Sequence, residues 1–280
     1  RFWDMRDPWV EQYLSDRVIG TLKKYGFGYM KIDYNETIGI GCDGAESLGE
    51  GLRQNMEASV AFIEKVKREI PGIVLENCAS GGHRLEPKMM SLMSMASFSD
   101  AHECEEIPII AANLHRVIHP AQSQIWAVIR QDDSLKRIAY SVANTFLGRM
   151  CISGNVTNLS PEQWAMIESG MQFYEKIKAI IKEGQSCRFG PKIQSAREPK
   201  GWQALLRIGK NGQAFLVIHV FDGALPEQIE LELPEGAPDQ ISAVYAYKQQ
   251  DIEIRNRRIC FRPEENRLSV ALLLSTESDN

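Results

Sequence analysis

Three polar stretches, each closing an apolar run, carry the residue types that proton transfer to a polar substrate needs. They are Lys31-Ile32-Asp33-Tyr34-Asn35, then Glu76-Asn77-Cys78-Ala79-Ser80-Gly81-Gly82, then Ser99-Asp100-Ala101-His102-Glu103. Burying a charge costs several kcal/mol, so Lys31 and Asp33 must pair, reach solvent at a strand end, or do chemistry there. Side chains alternate along a strand, which puts Lys31 and Asp33 on one face and Ile32 on the other. Ser80-Gly81-Gly82 supplies small residues that let a ligand approach the backbone. Each stretch also has a plain structural reading: a half-buried ion pair, a turn, and an aspartate capping a loop. Together they point to two acids converging at the C-terminal ends of parallel strands, where α/β barrels build their active sites.

Other chemistries fit less well. The glycine loop lacks the Gly-x-Gly-x-x-Gly order and the Lys-Ser/Thr end of a phosphate cradle. His102 and Glu103 adjoin Cys104, and His115 and His119 lie four apart, but no third ligand accompanies them, so no metal site is expected. Cys78 has no visible His/Asn pairing that would make it a nucleophile. The Asn-x-Ser/Thr triplets at Asn35, Asn155 and Asn158 read as chance. A pair of carboxylates fits glycoside hydrolysis with retention, in which two acids about 5–5.5 Å apart divide the work of nucleophile and proton shuttle. The nucleophile must stay ionised, which Lys31 on the same face favours. The acid needs a raised pKa, which an apolar wall such as Phe98 provides.

The elements that must position these residues alternate. Asp7-Pro8 starts a helix whose Val10, Leu14, Val18 and Leu22 recur at near-helical spacing and which Gly26 ends. The strand Gly28–Ile32 follows, then a helix from about Ser47 to Ile70, the strand Ile73–Leu75, a short helix around Pro87–Leu92, and the strand-like "MASFSD". A helix over Ile107–Ile118, "SQIWAVI" as a strand or buried loop, a helix over Ser134–Leu147, the strand "RMCIS" and a helix over Ser160–Glu183 complete the series. Ser160 and Gln163 form a capping box for the last helix. This alternation predicts a parallel α/β sheet or barrel. After Gly184 the pattern changes to short apolar runs separated by turn residues. Among them is a hairpin signal at Lys210-Asn211-Gly212. Residues 1–184 are therefore expected to be barrel and 185–280 an antiparallel β domain.

The totals agree with this architecture. The chain has 280 residues, 44% hydrophobic and 25% charged, with a net charge of −5 and no basic cluster, so no nucleic-acid surface is expected. Its six cysteines are scattered and read as reduced thiols of a cytoplasmic protein. No apolar run is long enough for a membrane span. Trp126, Trp164 and Trp202 read as core or interface aromatics.

"YMKIDYN", "ENCASGGHRLEP" and "SFSDAHECEEI", in this order and spacing, resemble the melibiase-type α-galactosidases, glycoside hydrolase family 36. The resemblance covers about Asp4 to Gly184, with the C-terminal β domain also in place. It implies the later strands and helices of a (β/α)8 barrel followed by an antiparallel β-sandwich. It further implies retaining hydrolysis of terminal α-D-galactosyl residues in oligosaccharides such as melibiose and raffinose, with no metal or organic cofactor. Asp33 would be the nucleophile and Asp100 the acid/base. Lys31 would hydrogen-bond sugar hydroxyls, Cys78, Ser80 and Gly81 would line the wall beside them, and Asn35 and Arg84 occupy further substrate-binding positions of the motifs. The same acids would serve an α-galactosyl transglycosylase or an α-N-acetylgalactosaminidase, and a non-catalytic carbohydrate-binding barrel would keep the shape alone. Assembly into a homo-oligomer is compatible with any of these.

The sequence departs from the family pattern in places. Ile32 stands where Trp is frequent, His83 where many members have a third Gly, and Phe98 where Trp is usual. The family's N-terminal β-sandwich and first barrel strands have no counterpart here, so about five barrel strands are expected, beginning with Gly28–Ile32.

Overall fold

The computed structural model describes residues 2–35, 41–98, 100–210 and 212–276. Ser99 of the third polar stretch and Asn211 of the hairpin signal lie outside the described residues. The chain forms two compact units, residues 1–100 and 101–280.

In the first unit, α1 (Pro8–Leu14) begins where expected: the Asp7 carboxylate accepts from the Trp9 amide at 2.8 Å, and Pro8 takes the first turn. A π-helical turn over Ser15–Ile19 joins it to α2 (Gly20–Tyr25), which Gly26 ends at φ +68°. Then come β1 (Tyr29–Asp33), α3 (Leu48–Glu69), β2 (Val74–Cys78), α4 (Pro87–Leu92) and β3 (Met95–Ser97). Ser47 caps α3 by accepting from the Glu50 amide at 3.1 Å. β1 and β2 run parallel, pairing Tyr29 with Val74, Lys31 with Glu76 and Asp33 with Cys78. β3 runs parallel to β2 beyond them, pairing Met95 with Glu76 and Ala96 with Asn77.

Alternation along these strands sorts the side chains onto two faces. Leu75 is wholly buried in a core with Ile19, Leu22, Ile63, Val66, Met89 and Met93, and Met30 and Ile32 pack against that core. At about 25 cal/mol per Å² of buried apolar surface, this is what fixes the strand register. A slip of one residue would drive Lys31 and Asp33 into the helices. The opposite face of the ladder therefore carries Lys31, Asp33, Glu76 and Cys78.

The second unit opens with α5 (Ile107–Leu114), a 3-10 turn (Pro120–Gln122), β4 (Ser123–Ile129), α6 (Leu135–Thr145), β5 (Arg149–Gly154) and α7 (Pro161–Glu183). β4 and β5 are parallel, so "SQIWAVI" is a strand. The capping box forms as expected, with Ser160 Oγ accepting from the Gln163 amide at 3.2 Å and Gln163 Oε1 from the Ser160 amide at 2.8 Å. Eight strands follow: β6 (Gln185–Phe189), β7 (Trp202–Ile208), β8 (Gln213–Val220), β9 (Ile229–Glu232), β10 (Gln240–Tyr245), β11 (Asp251–Arg255), β12 (Arg258–Arg262) and β13 (Leu268–Ser275). They make an antiparallel sheet in the order β10-β13-β8-β7-β6 and a smaller one in the order β11-β12-β9. Leu206, Leu216 and Leu272 of the larger sheet share one core with Ile229, Leu231, Ile259 and Phe261 of the smaller. Parallel strands in both units, followed by these antiparallel sheets, are consistent with a barrel and sandwich arrangement.

Arg207 of β7 is buried and closes the C-terminus of α7. Its guanidinium donates to the carbonyls of Ile181 at 2.8 Å and of Ile180 at 2.9 Å, the latter already accepting the Gly184 amide at 2.8 Å. No helix among the described residues is long and apolar enough to cross a membrane.

Candidate active site

The polar face of β1 and β2 ends in two side by side residues. Asp33 pairs in register with Cys78, and the Tyr34 amide extends the ladder by donating to the Cys78 carbonyl at 3.0 Å. The Cys78 side chain is buried and, as the register partner of Asp33, leaves the ladder beside that carboxylate. Burial pushes its thiol up, against the Gly81 amide and the Lys31 charge, and the Asp33 charge pushes it further the same way. A thiol held protonated is a hydrogen-bond donor rather than a nucleophile, so the chemistry at this strand end falls to the carboxylate.

The loop after β2 is shaped by its backbone. Ser80 has φ +44° and Gly81 φ +78°, so two successive left-handed residues turn the chain back sharply. Asn35 Oδ1 accepts from the Ser80 amide at 3.1 Å and so ties this turn to the end of β1. Gly82 lies against the backbone of Phe98: a Cβ there would stand 2.5 Å from the Phe98 carbonyl oxygen. Arg84 places its guanidinium 4.6 Å from the centre of the Tyr34 ring. Burial pushes the Tyr34 hydroxyl up, with Arg84 opposing. Lys31, Asp33, Tyr34, Asn35 and Arg84 all line one cleft of about 600 Å³ in the first unit. Trp3, Met30, Ile32 and Phe62 line it too. The cleft runs along the side of β1 away from β2, and so includes residues from both strand faces.

Asp100 is exposed and lies three residues beyond the end of β3. Because β1, β2 and β3 are parallel, Asp100 follows the same end of the ladder that Asp33 closes. The sequence-expected residues Lys31, Asp33, Asn35, Cys78, Ser80 and Gly81 are adjoining in this structure. Arg84 joins them through Tyr34 and the cleft wall.

One residue of the face was given no role from sequence. Glu76, 2% exposed, sets its Oε1 3.4 Å from Lys31 Nζ and accepts from Ser97 Oγ at 2.5 Å and from the Tyr29 hydroxyl. The signal available was its parity: Glu76 and Cys78 are two apart on one strand and so share a face.

A cleft of about 640 Å³ in the second unit is also charged, lined by Glu103, Glu105, Arg197, Asp222 and Arg267 among others. Several of its charges are engaged: Arg267 pairs with Asp222 at 2.8 Å, and Arg130, outside the lining, holds Glu103 at 2.8 Å. Its acid nearest a strand end, Asp222, is held by Arg267.

The first unit thus carries an aspartate closing one parallel strand, a glycine turn after the next and a second aspartate after the third. The melibiase family model matches residues 2–184, and the chain belongs to that family. Similar solved structures include the α-galactosidase AgaA of Geobacillus stearothermophilus. Its A355E form in complex with 1-deoxygalactonojirimycin is 16% identical, with a TM-score of 0.79, and the match covers 97% of this chain and 39% of that one. The A355E D548N form in complex with raffinose is 17% identical with a TM-score of 0.78, over 97% and 39%. The α-galactosidase of Lactobacillus brevis is 15% identical with a TM-score of 0.76, over 99% and 39%. The chain thus spans about two fifths of the length of these structures, and at such identities the likeness is one of fold. The search of curated proteins gives no match.

Proposed function

We propose that this chain carries the catalytic acids of a retaining α-galactosidase acting on terminal α-D-galactosyl residues of oligosaccharides such as melibiose and raffinose. The observation that supports this reading best is the placement of Asp33 and Asp100 after parallel strands at one end of the ladder, with the Ser80-Gly81 turn between them. An Asp33 carboxylate oxygen attacks the anomeric carbon as the bond from that carbon to the leaving oxygen breaks. Asp100 gives its proton to the leaving oxygen. In the second step Asp100 takes a proton from water, whose oxygen displaces Asp33 and restores the α configuration. Lys31 donates to sugar hydroxyls, Cys78 donates to Asp33 and lines the pocket with Ser80 and Gly81, and Asn35 holds the turn in place. Arg84 braces the opposite wall. No metal or organic cofactor enters this scheme. Residues 1–184 supply the later part of a (β/α)8 barrel and 185–280 the β-sandwich that follows it.

The test is turnover of an aryl α-galactoside by the full-length protein and by its Asp33→Ala variant. The variant is expected to lose turnover, and azide is expected to restore it with β-galactosyl azide as product. Undiminished activity in Asp33→Ala would refute the assignment. The isolated 280-residue segment is expected to turn over the same substrate poorly, because β1 pairs only with β2 among the described residues and lacks a strand on its other side.

A further inference from the structure

We propose that Glu76 is a positioning residue that holds the Lys31 ammonium where a sugar hydroxyl meets it. The inference rests on the α-galactosidase reading of the same site and adds to it the residue that makes the lysine precise. A lysine alone is poorly suited to that task. Its charge sits on a four-carbon stem with several rotatable bonds, and it donates in no fixed direction. The Lys31 side chain is 35% exposed, so solvent competes for its tip.

Glu76 supplies what the lysine lacks. It is Lys31's register partner on β2, so the two side chains leave the ladder side by side on the same face. The carboxylate is fixed from three directions. The Tyr29 hydroxyl donates to Oε2, Ser97 Oγ donates to Oε1 at 2.5 Å, and Lys31 Nζ lies 3.4 Å from Oε1. These donors come from β1 and β3, on either side of β2, so the carboxylate cannot follow the lysine; the lysine must follow it. Glu76 also lies one inward-facing position deeper than Cys78, and Lys31 one deeper than Asp33. Anchoring Lys31 at that depth aims its ammonium along the floor of the layer in which Asp33 and Cys78 meet. A buried carboxylate of purely structural value would need only its own donors satisfied, and replacing it with an isosteric amide would leave substrate recognition intact.

The two roles separate in kinetics on the full-length protein with an aryl α-galactoside. Glu76→Gln is expected to raise KM about tenfold or more while kcat changes less than about threefold, and to weaken galactose binding measured by calorimetry to the same extent. Lys31→Met is expected to raise KM at least as much. In the double variant, Glu76→Gln should add less than about twofold to the loss already caused by Lys31→Met, because its effect runs through the lysine. Should Glu76→Gln fold poorly, Tyr29→Phe removes one carboxylate partner from an exposed position and should shift KM in the same direction by about two- to fivefold. The inference is overturned if KM and galactose affinity in Glu76→Gln, or in Tyr29→Phe where that is used, stay within twofold of wild type. It is equally overturned if the two losses multiply in the double variant. A wild-type protein that turns over no α-galactoside would instead remove the α-galactosidase reading, and this inference with it.

Discussion

Gly82 offers the most direct way to test whether the turn after β2 sets the geometry of the site. A Cβ at this position would stand 2.5 Å from the Phe98 carbonyl oxygen, and 3.3 Å from a methyl carbon of Leu85. The Leu85 methyl can rotate away, but Phe98 is backbone. Restoring a contact of 3.0–3.4 Å requires the two segments to separate by about 0.5–0.9 Å. Overpacking of this kind costs about 1–3 kcal/mol. Phe98 is two residues before Asp100, and the Gly82 segment is continuous with Ser80 and Gly81, so the same displacement spreads between the acid and the wall it faces. Misplacement of about 1 Å can cost about a hundredfold in rate. Gly82→Ala in the full-length protein should therefore lower kcat for an aryl α-galactoside by about 10- to 100-fold, with a melting temperature reduced by a few degrees. Thermal melting and initial rates measure the two effects separately. A variant with both kcat and melting temperature at wild-type values would show that the loop has slack there, and that the turn does not fix the position of Asp100.

Three other outcomes follow from the structure. Because burial pushes the Cys78 thiol up, its alkylation by iodoacetamide at neutral pH should run well below that of a free cysteine peptide, as read by mass spectrometry of the Cys78 peptide; equal rates would contradict the buried, protonated state. Arg207→Met should destabilise the fold by about 1–3 kcal/mol in denaturant titration, since it strips the Ile181 carbonyl of its buried partner while Ile180 keeps the Gly184 amide. Burial lowers His115 to about 4, and its ring bridges the Leu147 carbonyl and Ser186 Oγ. The unfolded chain, with an ordinary histidine near 6.5, then binds more protons than the native one between those two values. Stability should consequently fall as pH drops from about 6.5 to 4, by up to about 3 kcal/mol from this residue. His115→Gln should flatten that limb of a stability–pH curve, and an unchanged slope would reject the assignment. His219, lowered to about 3 by burial, acts in the same direction.

The helices and strands of the first unit were readable because their signals are local. Asp7-Pro8, Ser47 and Gly26 mark ends through the hydrogen bonds and dihedral angles they make possible, and each does so here. Strand lengths were less legible. The apolar run Ile73–Leu75 suggested a short strand, whereas β2 continues through Glu76 and Asn77 to Cys78. Pairing with β1 and β3 satisfies the backbone of those polar residues, and that pairing is not a property of residues 73–78. The expected helix over Ile107–Ile118 stops at Leu114, where the chain enters a turn that His115 helps fix through Leu147 and Ser186.

The site shows the same division between local and distant information. Asp33, Cys78 and the Ser80-Gly81 turn were readable because strand ends and small residues leave a mark on the sequence itself. The partner of Lys31 was not. From sequence, Asp33 two residues away is the obvious counter-charge, whereas the structure sets Glu76 Oε1 against the ammonium at 3.4 Å. Residues i and i+2 on a strand share a face but lie about 6–7 Å apart along it. Register partners on neighbouring strands are nearer, at about 5 Å, and a sequence carries no statement of register. The consequence reaches beyond one ion pair. Asp33 has the neutral Cys78 thiol as its register neighbour and lines the cleft, while the lysine charge is balanced one layer deeper. A nucleophile must keep a reactive lone pair, and a carboxylate clasped by an ammonium would have to break that contact in order to attack. On the proposed reading, separating the two roles, with Glu76 answering Lys31 and Asp33 facing the substrate, removes that conflict.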